Sequence, residues 1–339
     1  MARRGGWTRR GSKGRFRYYD SRGNRITDPA KLARLESLVI PPAWKDVWIS
    51  PRPNAKLQAT GVDAAGRRQY LYHPDFRARQ EQAKFDKLIA FAEHLPAFRA
   101  AMAEHMEHDT YDRERVSAVA MRLINLGWFR VGSERYARSS RTYGVTTLRK
   151  RHVDVKRGGE MQFKFTAKAG AKVRTSFVDP ELADALRDLL KLPGGGRLFR
   201  YEWEGGIYNL TDKRLNDYVK IHLGDGYTAK DFRTWGGTLL AAIHLGERGV
   251  AETETQAKKN VAAAMRHVAE RLGNTPAVAR ASYVSPAVVE QYLDGRTIED
   301  FRPRHLRVVR ARQIELDEEE QALLSLLRSW RIRRARAAA

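Results

Sequence analysis

Four segments combine residue types suited to gripping a phosphate ester and moving a proton. They are Phe129-Arg130-Val131-Gly132, Ala167-Lys168-Ala169, Lys230-Asp231-Phe232-Arg233-Thr234-Trp235, and Leu272-Gly273-Asn274-Thr275-Pro276 running on to Ala281-Ser282-Tyr283. A guanidinium donates two parallel hydrogen bonds and stays charged, which suits phosphate oxygens. A lysine can protonate a leaving oxygen. A phenol of pKa about 10 is ionised in only about one molecule in a thousand at pH 7, so a tyrosine nucleophile needs positive surroundings. Taken singly, each segment has an ordinary explanation. Arg130 follows a helix end, where arginines are commonly solvated or capping. Lys168 falls at a hairpin tip, Thr275-Pro276 is a good helix start, and Tyr283 fits an amphipathic core position.

Other chemistries find less support. Glu104-His105-Met106-Glu107-His108 puts two histidines at helical i, i+3 spacing, but no HExxH is present. A solvent-facing helix, without metal, is the expectation there. Pro193-Gly194-Gly195-Gly196 lacks the strand–GxxxxGK–helix context of a nucleotide loop, so no ATP site is expected. The absence of cysteine excludes disulfides, thiol nucleophiles and Cys-ligated zinc, and fits a reducing compartment.

The 339 residues include 63 Lys and Arg against 40 Asp and Glu, a formal charge of +23. With 42% hydrophobic residues the chain is no disordered basic tail; it can bury a core and divides most simply into two domains. Such an excess of positive charge on a folded chain points to a polyanion, above all nucleic acid. No apolar run approaches the ~20 residues that span a bilayer, and the N-terminus lacks a signal-peptide h-region.

The elements that must position these residues follow from periodicity. Residues 1–19 carry seven positive charges, from Arg3 to Arg17, and no acid; with four glycines they read as a flexible basic arm. Short strands are expected at Phe16–Tyr19, Val47–Ile49, Leu57–Thr60 and Arg68–Tyr72, the last two joined by a loop through Gly61–Gly66. Phe85, Leu88, Ile89 and Ala92 recur at helical spacing up to a break at Pro96. Val116, Val119, Ala120 and Leu123 mark a second helix, with Gly127 just past its end. Residues 143–178 return to strands, in which Met161, Phe163 and Phe165 alternate with polar residues. Gly158-Gly159 and Ala167–Gly170 supply the turns. After Pro180 the chain reads as mainly helical, with Ser285-Pro286 a clear helix start. The overall expectation is an α+β fold: a small β-rich N-terminal domain over 1–87, and a larger, mainly α domain with a small antiparallel sheet over 88–339.

The order Arg130, Lys168, Lys230-Asp231-Phe232-Arg233, Gly273-Asn274, Tyr283 resembles the catalytic domain of type IB DNA topoisomerases, most closely the poxvirus-like branch that also occurs in bacteria. In the first domain, Gly66-Arg67-Arg68-Gln69-Tyr70-Leu71-Tyr72 is similar to that branch's strand that reads the major groove. Gly144-Val145-Thr146-Thr147-Leu148-Arg149-Lys150-Arg151-His152 is similar to a further strand of the branch.

The resemblance implies a mechanism. Tyr283 attacks a phosphodiester to give a 3′-phosphotyrosyl link and a free 5′-hydroxyl. Arg130 and Arg233 hold the non-bridging oxygens. Lys168 is the general acid, with Lys164 and Lys172 as rivals, and Lys230 assists. Asn274 stands where the branch carries His; it can orient and donate, but cannot exchange a proton. Ser133 stands where the branch carries Lys. Expected DNA contacts are Arg67, Gln69, Tyr70, Tyr72, Tyr136 and Lys230. On a regular strand Gln69 points away from Tyr70 and Tyr72, and without the resemblance the lesser alternative is that those two tyrosines form a core face. The implied activity is relaxation of duplex DNA by a monomeric two-lobed clamp, without metal, ATP or other cofactor, in the cytoplasm on the nucleoid. The alternatives are a tyrosine recombinase, disfavoured because no His precedes Arg233 by two or three residues, and a non-catalytic DNA-binding protein.

Overall fold

The computed structural model describes residues 5–12, 14–302 and 314–338. Two units emerge, dividing between Lys84 and Phe85, slightly before the 87/88 division expected from sequence.

The first unit is built on a five-stranded antiparallel sheet: β1 (Trp7–Arg10), β2 (Arg17–Tyr19), β3 (Lys45–Ile49), β4 (Leu57–Val62) and β5 (Arg68–Tyr72), in the order β2-β1-β3-β4-β5. Helix α1 (Pro29–Ser37), capped by Asp28, packs Leu35 with Ile26, Ile40, Val47, Ile49 and Ala59 in a small core. The flexible arm expected at residues 1–19 is therefore corrected for its described part. Trp7–Arg10 is an interior strand of the sheet. The Arg9 guanidinium donates to the carbonyls of Ile40, Pro41 and Trp44 at 2.9 Å each. Basic residues read as loose because their charge dominates the local composition, yet Arg9 is spent on backbone carbonyls. Arg3, Arg4 and Lys13 lie outside the described residues.

Helix α2 (Pro74–Met106) carries the boundary between the units and runs through Pro96 without the expected break. A helix-interior proline costs about 3 kcal/mol. Phe91, Leu95, Phe98 and Met102 are fully buried around it, and each such side chain returns about 1.5–3 kcal/mol, so packing overrides the breaker. Helix α3 (Arg113–Gly127) ends one residue later than expected: Gly127 is its last residue, and Trp128 takes the left-handed cap at φ 50°.

Beyond a short α4 (Glu134–Ser139), the segment expected as a strand at 144–152 forms two 3₁₀ turns, Val145–Thr147 and Lys150–His152. Val145 and Leu148 are buried there. Strands β6 (Val153–Val155), β7 (Glu160–Thr166) and β8 (Lys172–Val178) form the small antiparallel sheet, with Met161, Phe163 and Phe165 turned inward as their alternation requires. A hairpin of β9 (Arg200–Trp203) and β10 (Gly206–Asn209) follows α5 (Pro180–Lys191), in a stretch expected to be mainly helical; Glu204-Gly205 makes its turn.

The remainder is helical: α6 (Asp212–Leu223), α7 (Ala229–Arg248), α8 (Glu254–Leu272), α9 (Pro276–Ser282), α10 (Pro286–Leu293) and α11 (Glu318–Ala338). Helix α11 buries Leu323, Leu326 and Leu327. Its Glu320 pairs with both Nη atoms of Arg99 at 2.8 Å and accepts from Trp235 Nε1 at 2.9 Å, tying α11 to α2 and α7. Among the described residues no helix is long and apolar enough to cross a membrane.

Candidate active site

Helix α7 is the platform. Thr228 precedes it and donates through both its backbone N–H and its hydroxyl to Asp231, and Asp231 also pairs with Lys87 at 2.6 Å. Two residues on, Arg233 is buried; it donates to the carbonyl of Trp128 and, at 2.8 Å, to that of Leu272. Those two carbonyls end α3 and α8, so one side chain fixes both helix ends. Arg233 Nε is buried with no hydrogen-bond partner among the described residues.

Two adjacent glycines let other chains reach α7 closely. A Cβ on Gly236 would overlap the Trp128 indole, and one on Gly237 would lie 2.8 Å from the Tyr283 carbonyl oxygen. The Thr238 hydroxyl donates to that carbonyl at 3.1 Å and accepts from Ser285 N–H at 3.1 Å. Tyr283 is thus held at its backbone, just where α9 ends and the Ser285-Pro286 start of α10 turns the chain away. Its ring faces the Arg233 guanidinium, 5.1 Å from the ring centroid.

Arg130 leaves the αL turn at Trp128 in extended form, its carbonyl accepting from Val145 N–H at 2.9 Å. Gly144 has no Cβ to collide with that carbonyl. Arg130 Nη2 donates to the Gly273 carbonyl at 2.8 Å and to Asn274 Oδ1 at 2.5 Å. Asn274 Nδ2 points to the Leu272 carbonyl at 3.4 Å. Lys168 sits exposed on the β7–β8 turn, where Ala169 and Gly170 both take positive φ, 62° and 79°.

A cavity of about 360 Å³ is lined by Arg130, Lys168, Lys230, Arg233 and Tyr283, with Ser133 and Tyr136 on its wall. Asn274 reaches it only through Arg130. Lys172 opens instead onto a neighbouring cavity of about 530 Å³ and donates to Thr166 Oγ1 at 3.1 Å, and Lys164 lines neither space. Burial alone would push the Tyr283 phenol up; the charges of Arg233, Lys230 and Arg130 outweigh it and hold the phenol below the ordinary tyrosine range. Burial first, then the Arg130 charge, brings the Arg233 guanidinium down to about 10, still cationic at neutral pH, with Tyr283 opposing the shift. Tyr143, Thr142 and Thr238 escaped the sequence reading. The paired glycines before Thr238 were the available signal, since helix-interior glycines mark close approach.

In the first unit, Tyr70 and Tyr72 are exposed and stacked, centroids 6.3 Å apart, so they are not a core face. Phe76 lies 5.5 Å from Tyr72, and Lys56 Nζ sits 5.6 Å over Phe76. Strand β5 alternates regularly: Gln69 lies on the other face, its amide donating to Asp63 Oδ2 at 2.8 Å. Arg67 pairs with the same carboxylate at 2.7 Å, and that hydrogen bonding holds Asp63 down to about 2. The remaining sequence candidate for other chemistry, His105 and His108, is half-buried at the end of α2 rather than solvent-facing.

A phenol ringed by two guanidiniums and two ammoniums, on a mainly helical domain with a three-stranded sheet, is the equipment of enzymes that transfer DNA strands to tyrosine. Comparison with known proteins narrows the class. The eukaryotic DNA topoisomerase I catalytic core matches residues 73–302, and the bacterial DNA topoisomerase IB N-terminal domain matches residues 15–63. DNA topoisomerase 1B of Acanthamoeba polyphaga mimivirus is 32% identical over 286 residues, 82% of this chain and 84% of its own. DNA topoisomerase 1B of Vaccinia virus (strain Copenhagen) is 24% identical over 243 residues, 70% of this chain and 73% of its own. The chain belongs to the type IB DNA topoisomerase family.

Proposed function

We propose that the chain relaxes supercoiled duplex DNA by the following residue roles. Tyr283 Oη attacks a backbone phosphorus, the bond from phosphorus to the 5′-oxygen breaks, and the product is a 3′-phosphotyrosyl ester with a free 5′-hydroxyl. Lys168 delivers the proton the departing oxygen needs. Its turn lets the side chain swing while β7 and β8 stay paired. Arg130 and Arg233 hold the non-bridging oxygens, with the unpartnered Arg233 Nε a donor ready for one of them. Asn274 positions Arg130, and Lys230 adds positive potential that favours the tyrosinate. The linkage remains a phosphodiester, so rotation of the free strand and religation need no ATP. Both units grip one duplex, the chain acting as a monomeric clamp on nucleoid DNA. Exposed Tyr70, Tyr72 and Tyr136 make contacts there.

What carries this reading is the cavity in which Tyr283, Arg130, Arg233, Lys168 and Lys230 share one wall. Supercoiled plasmid incubated in EDTA without ATP tests it. The wild type should relax the plasmid and Tyr283→Phe should not; equal relaxation by the two would sink the assignment. Lys168→Ala should fail on ordinary DNA yet cleave when the leaving 5′-oxygen is replaced by sulfur, which needs no acid. A recombinase would instead give rearranged products from paired sites.

A further inference from the structure

Among the described residues, one group of histidine and acidic side chains converges closely enough to hold an ion: His105, His108 and Glu114, with one ligand atom of each within 4.8 Å of the others. It lies where α2 ends and α3 begins, and shares no residue with the Tyr283 cavity. We propose that His105, His108 and Glu114 bind one divalent transition-metal ion of the Zn²⁺ class, which ties α2 to α3 and faces α6.

The first argument is how the imidazoles are held. His108 Nδ1 is 2.7 Å from Asp112 Oδ2, and His105 Nδ1 is 2.8 Å from the Tyr218 hydroxyl. Metal-bound histidines typically donate their second ring nitrogen to just such a carboxylate or polar oxygen, which fixes the tautomer and leaves the other nitrogen's lone pair for the ion. Here each Nδ1 has such an oxygen within hydrogen-bond distance, and in the tautomer that donates from Nδ1 the Nε2 lone pair is left for an ion.

The second argument is the surroundings. His222 on α6 has its ring centroid 4.8 Å from that of His105, so a further imidazole stands beside the cluster. On a chain of net +23, residues 104–114 gather Glu104, Glu107, Asp109, Asp112 and Glu114 against the single positive charge of Arg113, a local field that favours a cation. Imidazole and carboxylate donors without thiolate suit Zn²⁺, Ni²⁺ or Cu²⁺ over Mg²⁺ or Ca²⁺. A tetrahedral ion with ligands at ~2.0–2.1 Å draws its donors to ~3.4 Å apart.

The test uses tag-free full-length protein and ZnCl₂ alone, with binding followed by calorimetry and Co²⁺ substitution followed by visible absorption. One ion per chain and a tetrahedral Co²⁺ spectrum are expected. His108→Asn and Glu114→Gln should each weaken binding at least ~10-fold. Asp112→Asn keeps an oxygen to accept from Arg115 N–H at the start of α3, yet removes the carboxylate behind His108; it should cost about 10–100-fold in metal affinity with little change in melting temperature of the metal-free protein. Melting curves establish that each variant is folded. No stoichiometric binding, or binding equally tight in His108→Asn and Glu114→Gln, overturns the proposal. Relaxation in EDTA is independent of this site, so failure of one reading leaves the other standing.

Discussion

At the scale of single residues, the site is arranged around charge rather than around a base. Among the described residues no carboxylate or imidazole lines the Tyr283 cavity; Arg233, Lys230 and Arg130 bring the phenol below its ordinary range against the opposing effect of burial. The sign is simple. In the proposed mechanism the reactive form is the phenolate, so cleavage should rise with pH and level off once the folded-state pKa is passed. Removing a positive charge should move that limb to higher pH. Lys230→Met is therefore expected to cleave more slowly than wild type at neutral pH and to recover towards it in alkali. Single-turnover cleavage of a DNA substrate across pH reads this directly, and a profile parallel to wild type would confine Lys230 to DNA contact. Asn274 makes a second test. Its oxygen receives the Arg130 guanidinium at 2.5 Å, a bond to a charged donor worth about 1.5–3 kcal/mol. Asn274→Ala should thus slow cleavage roughly 10–100-fold. Asn274→Asp keeps the acceptor but sets a negative charge beside the incoming phosphate, and should be slower still. An Asp variant as fast as wild type would mean that aiming Arg130 is all the residue does.

At the scale of elements, precision comes from close backbone approaches that only particular residues permit. Gly237 admits the Tyr283 carbonyl, and Thr238 grips it. Gly237→Ala would press a methyl against a backbone that has no room to yield. It should cost about 1–3 kcal/mol of stability and, through a displacement of the phenol, about 100-fold in cleavage. Thermal melting and single-turnover cleavage together check it; a folded, fully active variant would refute the fit.

Elements also show where sequence is readable. The alternation of Met161, Phe163 and Phe165, the Thr275-Pro276 and Ser285-Pro286 starts, and the order of the site residues were legible, because each rests on neighbours in the chain. Pro96 was misread because burial of Phe91, Leu95 and Phe98 is decided by partners far away in sequence. Residues 7–10 were misread because Arg9's partners, Ile40 to Trp44, lie some thirty positions on. Gln69's face followed from strand alternation, but Asp63 as its partner did not.

At the scale of the whole molecule, the question is where the excess charge does its work. The first 84 residues hold 19 Lys and Arg against 7 Asp and Glu, so about half of the +23 lies in a quarter of the chain. Charge that neutralises phosphates shows as a salt dependence of affinity, with log K falling by about 0.9 per log unit of salt for each phosphate contact. Neutral contacts leave that slope alone. Strand β5 separates the two kinds within five residues. Arg68, Tyr70 and Tyr72 are exposed and share one face, whereas Arg67 is paired with Asp63. Tyr70→Ala with Tyr72→Ala should weaken DNA binding at every salt concentration without altering the slope. Arg68→Ala should lower the slope by about one. Arg67→Ala should lower it by less, because a guanidinium already shared with a carboxylate releases fewer counterions when a phosphate arrives. Titrations of a fluorescent duplex between low and physiological salt measure all three. None of the variants touches the Tyr283 cavity, so at saturating enzyme each should cleave at the wild-type rate. A slope that falls equally for Arg67→Ala and Arg68→Ala would show that DNA displaces Asp63 from Arg67 on binding.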